Sequence, residues 1–281
     1  CITYTPTNIG LAAADVTTGD FYTTEVEDSR RLMDELMKYS PSEIICNDAF
    51  YVSGFDIADL RNRLQMAIST IELYYFDDEG CEKCIMRHFG VKSLIGLGLE
   101  DFPVGTIAAG ALLQYLLDTQ KNELVHINHI QSYLTSKYML LDSSTRRNLE
   151  LCETLREKQK RGSLLWVLDK TKTAMGARTL RSYIEQPLLN KADMEARLDA
   201  VEELSKDSVS RDEIREYLNP IYDLERLLSK VTYKTANPRD LIAFRNSLEM
   251  LPHIKTVLKG FTKELLTGIY DDMESLEDIY N

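Results

Sequence analysis

The pattern of apolar and polar positions divides the chain near residue 120 into a half of alternating strands and helices and a helical half. In the first half, "NIGLAAADV" and "FYTTEV" flank a turn at Gly19, which predicts a β-hairpin. The runs "EIICN" and "IELYYF" predict two further strands. Helical spacing of apolar residues predicts three helices. The first has Ser29 as its N-cap, the second begins near Phe55 and the third begins near Val104. We therefore expect an α/β domain with a mixed sheet.

The second half is predicted to be all-α. A helix capped by Asp142 is expected to continue to Gly162, and Ser163 to cap the next helix. Because that next helix, "LLWVL", is apolar on all sides, the pattern predicts that it is buried on all sides. "GARTLRSYIEQP" and "DMEARLDAVEEL" predict two amphipathic helices after it.

Proline marks three more helix boundaries. Asn219 and Asn237 each precede a proline, and Asn at the N-cap with Pro behind it predicts a helix start, because the first turn does not need the missing N–H. Pro252 is expected to kink or break the helix that Asn237 starts.

Charge supports the same division of the chain. Of the formal net charge of −12, residues 1–120 carry −11, from 19 acidic and 8 basic side chains. We predict a first domain over residues 1–121, a linker over 122–141 and a helical domain over 142–281. Because basic side chains supply most non-specific DNA affinity, the acidic first domain is a poor partner for a phosphate backbone.

The composition is that of an ordinary globular protein, with 44% hydrophobic and 28% charged residues. No apolar run is long enough to span a bilayer, and no signal-peptide pattern opens the chain, so we expect no membrane partner. Five cysteines without a secretory signal are typical of reduced thiols in a cytoplasmic protein. Because the chain starts at Cys1 and ends without a cap, we expect it to be part of a longer polypeptide.

Two groups of residues could in principle bind a metal ion. Cys81 and Cys84 with His88 could hold Zn²⁺, but a structural zinc site usually needs four ligands and no second cysteine pair is present. We therefore interpret the pair as two thiols beside a turn.

A second acidic group raises the alternative of a nuclease. RNase H-like nucleases place an acidic metal ligand on the first strand, and Asp15, Asp20 and Asp48 could surround Mg²⁺. We favour the interpretation that Asp15 and Asp20 flank a tight turn and bond to nearby backbone N–H groups.

Residues 162–189, "GSLLWVLDKTKTAMGARTLRSYIEQPLL", hold the chain's one tryptophan and several basic side chains among Thr and Gly. A phosphate-binding P-loop needs G-x-x-x-x-G-K-[ST] after a strand, and this stretch has neither. The residues favour a structural joint over a catalytic site.

The order of motifs resembles the MutS family of bacterial DNA mismatch-repair proteins. The motifs are "YMLLDSSTRRNLEL", the stretch over residues 162–189, "RLDAVEEL", "DLERLLSKV" and "NPRDL". The first half, from "IGLAAADVTTGDF" to "AAGALLQYLLDTQ", is similar to the connector domain of the family, which is an RNase H-like α/β domain. Two departures are Ala177, where many relatives have glycine, and "DDEGCEKC", which does not match the family.

The resemblance implies a chain that carries no reaction. In the family, mismatched double-stranded DNA is read by an N-terminal domain, and ATP with Mg is used by a C-terminal P-loop domain. Neither part is recognisable in this sequence. The lever helices join the DNA clamp to the ATPase, the connector meets the partner MutL, and the full-length protein is a homodimer. We expect a structural piece that transmits conformational change and has no cofactor or catalytic residue of its own.

Within that role, we predict a junction between connector and lever. Leu165 and Trp166 are expected to anchor it, and Arg178 and Arg181 to pair with nearby carboxylates. If Trp166 is fully buried, its replacement by alanine should cost about 3–5 kcal/mol. The alternatives to this function are an RNase H-like metal-dependent nuclease and a stand-alone docking module that binds through the acidic connector surface.

Overall fold

The computed structural model describes residues 1–63, 66–121, 123–135, 138–139, 141–276 and 279. The chain divides into two compact units, Cys1–Ser136 and Lys137–Asn281. None of the helices in the described ranges is long and apolar enough to cross a membrane.

The first unit is built on a mixed β-sheet. Its strands are β1 Ile2–Tyr4, β2 Ile9–Asp15, β3 Asp20–Val26, β4 Glu43–Cys46, β5 Ala67–Thr70 and β6 Gln131–Ser132. Among the described residues the strand order is β5-β4-β1-β2-β3-β6. β2 runs antiparallel to β1 and β3, whereas β4 is parallel to β1 and β5, and β6 is parallel to β3. The predicted α/β fold class with a mixed sheet is confirmed.

Helices cover this sheet. They are α1 Ser29–Tyr39, α2 Asp48–Val52, α3 Ile57–Arg63, α4 Asp78–Phe89 and α5 Pro103–Gln120, with 3₁₀ helices at Leu73–Phe76 and Leu94–Leu97. The core on one side joins β1, β2 and β4 to α1, α2 and α3 through Ile2, Leu32, Ile44, Phe50 and Leu60, which are all fully buried. α5 contacts β1, β2 and β3.

The hairpin forms where the pattern predicts it. β2 and β3 pair over seven residues each, from Ile9 opposite Val26 to Asp15 opposite Asp20. Gly19 has a φ of +87°, a left-handed conformation that glycine adopts without steric cost. Its N–H donates to the Asp15 carbonyl at 2.8 Å, which closes the turn.

Two expectations for the first unit are wrong in detail. "IELYYF" contains the 3₁₀ helix Leu73–Phe76, and the strand lies earlier, at β5. A run of apolar and aromatic residues this short does not distinguish a strand from a short helix. The N-cap of α1 is Asp28, one residue before Ser29, and its carboxylate accepts a hydrogen bond from Arg31 N–H.

The segment predicted as a linker, residues 122–141, is in part a component of the first unit. Several of its apolar residues are buried and others are exposed. The buried ones are Leu124, Ile127, Ile130 and Tyr133, and the exposed ones are Val125, Leu134 and Met139. β6 lies within it and extends the sheet beside β3. β6 itself consists of two polar residues, and the buried Ile130 and Tyr133 flank it. The Tyr133 N–H donates to the Thr23 carbonyl at 3.1 Å, which holds the segment beside β3.

The second unit is helical, as predicted. Its helices are α6 Ser143–Asn148, α7 Leu164–Leu168, α8 Ala174–Glu185, α9 Lys191–Lys206, α10 Ser208–Leu218, α11 Leu224–Thr232, α12 Pro238–Leu248, α13 Leu251–Leu258 and α14 Glu264–Asp272. Its core is formed by Ala200, Ile221, Ile254, Leu258, Phe261 and Leu266.

The helix boundaries of the second unit are partly as predicted. Asn237 caps α12 in a capping box with Asp240, and the helix stops before Pro252, so both expectations are confirmed. Asn219 instead ends α10, and the cap of α11 is Asp223. The helix from Asp142 ends at Asn148 rather than at Gly162, which corrects the longest helix predicted here.

Candidate functional site

Helix α7 is held by the turns that precede it. Gly162 has a φ of +98°, and the buried Ser163 behind it accepts a hydrogen bond from Trp166 N–H at 3.2 Å. The N–H groups of Leu164 and Leu165 donate to the carbonyls of Glu150 and Leu151 at 3.0 and 2.8 Å. The first turn of α7 is therefore held by its N-cap, Ser163, and by hydrogen bonds to the backbone of Glu150 and Leu151.

The two predicted anchor residues differ in burial. The side chain of Leu165 is 4% exposed, whereas that of Trp166 is 47% exposed. The expectation that α7 is buried on all sides is wrong, because its other apolar residues are also exposed, namely Leu164, Val167 and Leu168. An apolar sequence shows that burial of the helix would be favourable, but a five-residue helix needs neighbours on every side to achieve it.

Arg178 links two helices of the second unit. Its guanidinium on α8 donates to both carboxylate oxygens of Asp223 at 2.7 and 2.8 Å, and also to Glu225 on α11. This planar two-bond geometry is among the stronger polar contacts in proteins. The hydrogen bonds that Asp223 accepts from Arg178 lower the pKa of the Asp223 carboxyl, and the same bonds raise the pKa of the Arg178 guanidinium.

Arg181 has a local partner instead. Its Nε donates to Glu185 one turn later on the same helix, at 3.0 Å. Such a pair supports α8 itself by a few tenths of a kcal/mol, about 0.3–0.5, and joins it to no other helix. Burial raises the pKa of the neighbouring Cys152 thiol to about 12, and Glu185 adds to this shift, so Cys152 is a protonated packing residue here.

A basic turn before α7 is tied to the residues after it. Lys160 forms an ion pair with Asp169, which also accepts hydrogen bonds from the N–H and hydroxyl of Thr171 at 3.2 and 2.6 Å. The bonds from Lys160 and then Thr171 lower the pKa of Asp169 from 3.8 to about 2. The ion pair therefore links the turn before α7 to the C-cap residue of the same helix.

Replacement of Lys160 by alanine is expected to raise the pKa of Asp169 toward 3.8, because the largest cause of the lowering is removed. The folded pKa lies below the unfolded one, so this carboxylate stabilises the fold above pH 3.8, and the contribution is lost as the pH falls toward 2. A nuclear magnetic resonance titration of the Asp169 carboxyl measures the shift. Lys158→Ala is the matched control, and an unchanged titration of Asp169 in Lys160→Ala would contradict the assignment.

The cysteine pair lies on α4 and its members have separate surroundings. The Cys81 thiol is buried and donates to the Tyr75 carbonyl at 3.1 Å, and burial raises its pKa to about 12. His88 Nε2 lies 2.8 Å from the Ile127 carbonyl. Cys84 and His88 line a cavity of about 890 Å³ between α4, the end of α5 and residues 123–128. In the part of the chain that the structure describes, no three His, Cys, Asp or Glu side chains are arranged to hold a metal ion.

Two of the three aspartates considered as nuclease metal ligands accept hydrogen bonds within the hairpin turn. Asp15 Oδ1 accepts hydrogen bonds from the N–H and hydroxyl of Thr17 at 2.8 and 2.6 Å, and Asp20 accepts one from Thr18 at 2.6 Å. Asp48 is in the first turn of α2, where its charge favours the helix. The turn interpretation of Asp15 is confirmed, and nothing in this geometry supports the nuclease.

One polar cluster in the first unit joins residues that no sequence pattern connects. Tyr133 donates to Glu35 at 2.5 Å and accepts from Tyr39 at 3.0 Å, while the Lys38 ammonium lies 4.0 Å from the Tyr133 ring centre. Burial is the main cause that raises the pKa of Tyr133, which keeps its hydroxyl protonated. Tyr133 thus ties the segment after α5 to α1.

Two family models match the chain in order. The model of MutS domain II matches residues 4–131, and that of MutS domain III matches residues 144–279. These ranges correspond to the sheet-containing unit and to the helical unit.

Curated proteins named "DNA mismatch repair protein MutS" are similar over the whole chain. That of Lachnoclostridium phytofermentans is 58% identical over 100% of this chain and 30% of its own length. Those of Ruminiclostridium cellulolyticum and Acetivibrio thermocellus are 45% and 43% identical over 97% and 96% of this chain, and 31% of their own lengths. The chain spans about a third of the length of these relatives. It therefore belongs to the MutS family and corresponds to domains II and III of that family.

Proposed function

We propose that this chain is the connector and the first part of the lever in a mismatch-repair protein, and that it transmits conformational change without carrying a reaction. The observation that carries the proposal is the ordered match to MutS domains II and III over 4–131 and 144–279. The 58% identity to a relative named as a mismatch-repair protein supports the same role.

The activities of the whole protein would then belong to parts outside the matched stretch. We propose that the full-length polypeptide binds mismatched double-stranded DNA, uses ATP with Mg²⁺, forms a homodimer and works in the cytoplasm. MutL would contact the connector, residues 4–131. Under this proposal residues 1–281 bind no cofactor and catalyse no reaction.

The helical unit has features that suit transmission of force. Arg178 fixes α8 to α11 by a bidentate ion pair, so a displacement of one helix moves the other. Packed helices with two discrete arrangements can couple distant sites. We propose that the junction between connector and lever includes Leu165, Trp166, Arg178 and Arg181.

The proposed role in transmission is tested with a chimaera in which this chain replaces the matching part of a complete relative. In the Lachnoclostridium phytofermentans protein, the matching 30% would be replaced by residues 1–281 of this chain. The chimaera is expected to keep mismatch-stimulated ATP hydrolysis. Arg178→Leu in the chimaera should reduce the stimulation and leave the basal rate, because Arg178 touches neither nucleotide nor DNA in this proposal.

Two results would contradict the proposal. One is ATP turnover or mismatch-selective DNA binding by residues 1–281 alone. The other is an Arg178→Leu chimaera whose mismatch stimulation equals that of its parent. The matched control is Arg239→Leu, which removes a guanidinium from an exposed position on α12 that forms no ion pair with a described residue.

A further inference from the structure

The segment that leaves the first unit is held by separate contacts rather than by a long strand or helix. We define the strap as residues 123–135, in which the two-residue β6 is the only strand. Near the start of the strap, the His126 imidazole Nε2 lies 2.9 Å from the Val16 carbonyl oxygen in the hairpin turn. Near its end, the Ser132 hydroxyl donates to the Gly98 carbonyl at 2.7 Å. The strap therefore stays on the first unit through contacts that single substitutions can remove one at a time.

Tyr133, at the end of the strap, is bonded through both its backbone and its side chain. Its N–H donates to the Thr23 carbonyl at 3.1 Å, and its carbonyl accepts from the Thr24 hydroxyl at 2.6 Å. These two bonds hold it beside β3. Its hydroxyl donates to Glu35 and accepts from Tyr39, which are both on α1. One residue is therefore tied at once to the sheet and to the helix that covers it.

The acceptor of the Tyr133 hydroxyl belongs to an ion pair that is almost buried. Glu35 Oε2 accepts from the Tyr133 hydroxyl at 2.5 Å and from the Lys38 ammonium at 3.0 Å. The side chains of Lys38 and Glu35 are 9% and 13% exposed, and the ammonium lies 4.0 Å from the Tyr133 ring centre. We define the latch as the Tyr133 hydroxyl, the Glu35 carboxylate and the Lys38 ammonium. Because water has little access to these groups, a hydrogen bond lost from the latch is poorly replaced.

The connection from the latch to the second unit is short. Tyr133 is 9% exposed, whereas the next residue, Leu134, is 59% exposed, so the burial of the strap ends at Tyr133. In the second unit, Tyr138 forms a β-bridge with Leu188. The four residues between Tyr133 and Tyr138 let these two points lie at most about 18 Å apart when the chain is fully extended. So short a connection has little slack, and a large displacement of one unit therefore pulls on Tyr133.

We propose that Tyr133 is a positioning residue, because the latch ties the end of the strap to α1 and so passes movement of the helical unit to α1. With the hydroxyl in place, a pull on the chain acts on α1 as well as on β3. Without it, only the backbone bonds to β3 remain, and α1 is released from the movement. Coupling between distant sites is carried by bonded contacts of this kind between rigid elements. The coupling rests on the proposed function, whereas the latch itself does not.

Hydrogen exchange on residues 1–281 measures the latch. Tyr133→Phe keeps the ring and the backbone bonds and removes only the hydroxyl. We expect the amide at position 133, which is bonded to the Thr23 carbonyl, to exchange about tenfold faster, while the amides of β1 and β2 keep their protection.

Tyr51→Phe is the matched control for Tyr133→Phe. The Tyr51 hydroxyl also makes two hydrogen bonds, since it donates to the Ile68 carbonyl at 3.3 Å and accepts from Arg61 at 2.7 Å. Both bonds lie in the first unit and outside the strap. Exchange at position 133 should therefore stay as in the wild type.

A double-mutant cycle assigns the effect to the contact between Tyr133 and Glu35. It compares exchange at position 133 in Tyr133→Phe, in Glu35→Ala and in the double variant. Glu35→Ala also takes a partner from Lys38, but that cost is present in both proteins that carry the substitution and cancels in the cycle. We expect Tyr133→Phe to have little further effect once Glu35 is replaced.

The positioning role is measured in the chimaera with the Lachnoclostridium phytofermentans protein. Tyr133→Phe is expected to lower the mismatch stimulation of ATP hydrolysis about twofold or more and to leave the basal rate, because the latch lies in the path of coupling and not at the nucleotide. Tyr51→Phe should change neither rate. A residue that only stabilised the fold would not separate stimulated from basal hydrolysis.

The outcomes separate the latch, the positioning role and the proposed function. Unchanged exchange at position 133 in Tyr133→Phe, or additive effects in the cycle, would overturn the latch. Faster exchange with full mismatch stimulation would overturn the positioning role, and so would an equal loss of stimulation in Tyr51→Phe. A parent chimaera without any mismatch stimulation would overturn the proposed function and the coupling with it, while exchange still decides the latch. Faster exchange together with a selective loss of stimulation is the result that supports the proposal.

Discussion

Replacement of Leu165 by alanine is expected to lower the free energy of unfolding by about 2–5 kcal/mol. The side chain is 4% exposed, and the N–H groups that start α7 are bonded to Glu150 and Leu151, so the helix cannot move inward to fill the space. The cost is the lost transfer of apolar atoms together with the cavity that remains. Chemical denaturation followed by circular dichroism measures it.

Trp166→Ala is the matched comparison for that substitution. Trp166 is the neighbouring residue and the larger side chain, but it is 47% exposed, so we expect a loss of about 1 kcal/mol. This replaces the expectation of about 3–5 kcal/mol that full burial would give. If Trp166→Ala were the more destabilising of the two, Leu165 would not be the residue that anchors α7.

The two residues illustrate which properties the sequence determines locally. The cap by Ser163, the hairpin at Gly19 and the capping box at Asn237 each depend on bonds that span at most three or four residues. Such features follow from residue type and spacing. The exposure of Trp166 depends on which other elements reach α7, and no local pattern encodes that.

The error in residues 149–162 has a related cause. Their composition favours a helix, yet Glu150 and Lys158 have positive φ values and the carbonyls of Glu150 and Leu151 accept hydrogen bonds from the start of α7. Tertiary bonds to α7 therefore replace the bonds of a continued helix. Propensity is a weak guide when an alternative set of backbone partners is present.

The hydrogen-bond partners of these side chains could be predicted from the sequence only where both residues lie on the same helix. Arg181 and Glu185 are four residues apart, and their contact follows from helix geometry. Arg178 and Asp223 are 45 residues apart, and Tyr133 and Glu35 are 98 apart. The sequence could indicate that Arg178 needs a carboxylate, but several acidic residues of the second unit satisfied that condition equally.

Gly10→Ala is expected to have an effect as large as that of Leu165→Ala, in the first unit. A Cβ at Gly10 would lie 2.1 Å from the Val104 carbonyl oxygen, far inside contact distance. The first turn of α5 cannot retreat easily, because Glu25 accepts from the N–H groups of Val104 and Gly105 at 2.6 and 2.9 Å and Thr23 donates to the Gly105 carbonyl at 2.8 Å. We expect a loss of about 3 kcal/mol or more.

Gly96→Ala is the control for Gly10→Ala. Apart from its chain neighbours, no described residue has an atom within 4 Å of a Cβ at Gly96, so the effect on the free energy of unfolding should stay within about 0.5 kcal/mol. Hydrogen exchange resolves where the damage lies: Gly10→Ala should lose protection in β2 and α5, whereas Leu165→Ala should lose it around α7. Because a Cβ clash with backbone has no flexible side chain to absorb it, the sheet and α5 must separate locally. Wild-type protection of β2 and α5 in Gly10→Ala would mean that α5 packs farther from the sheet than the structure places it.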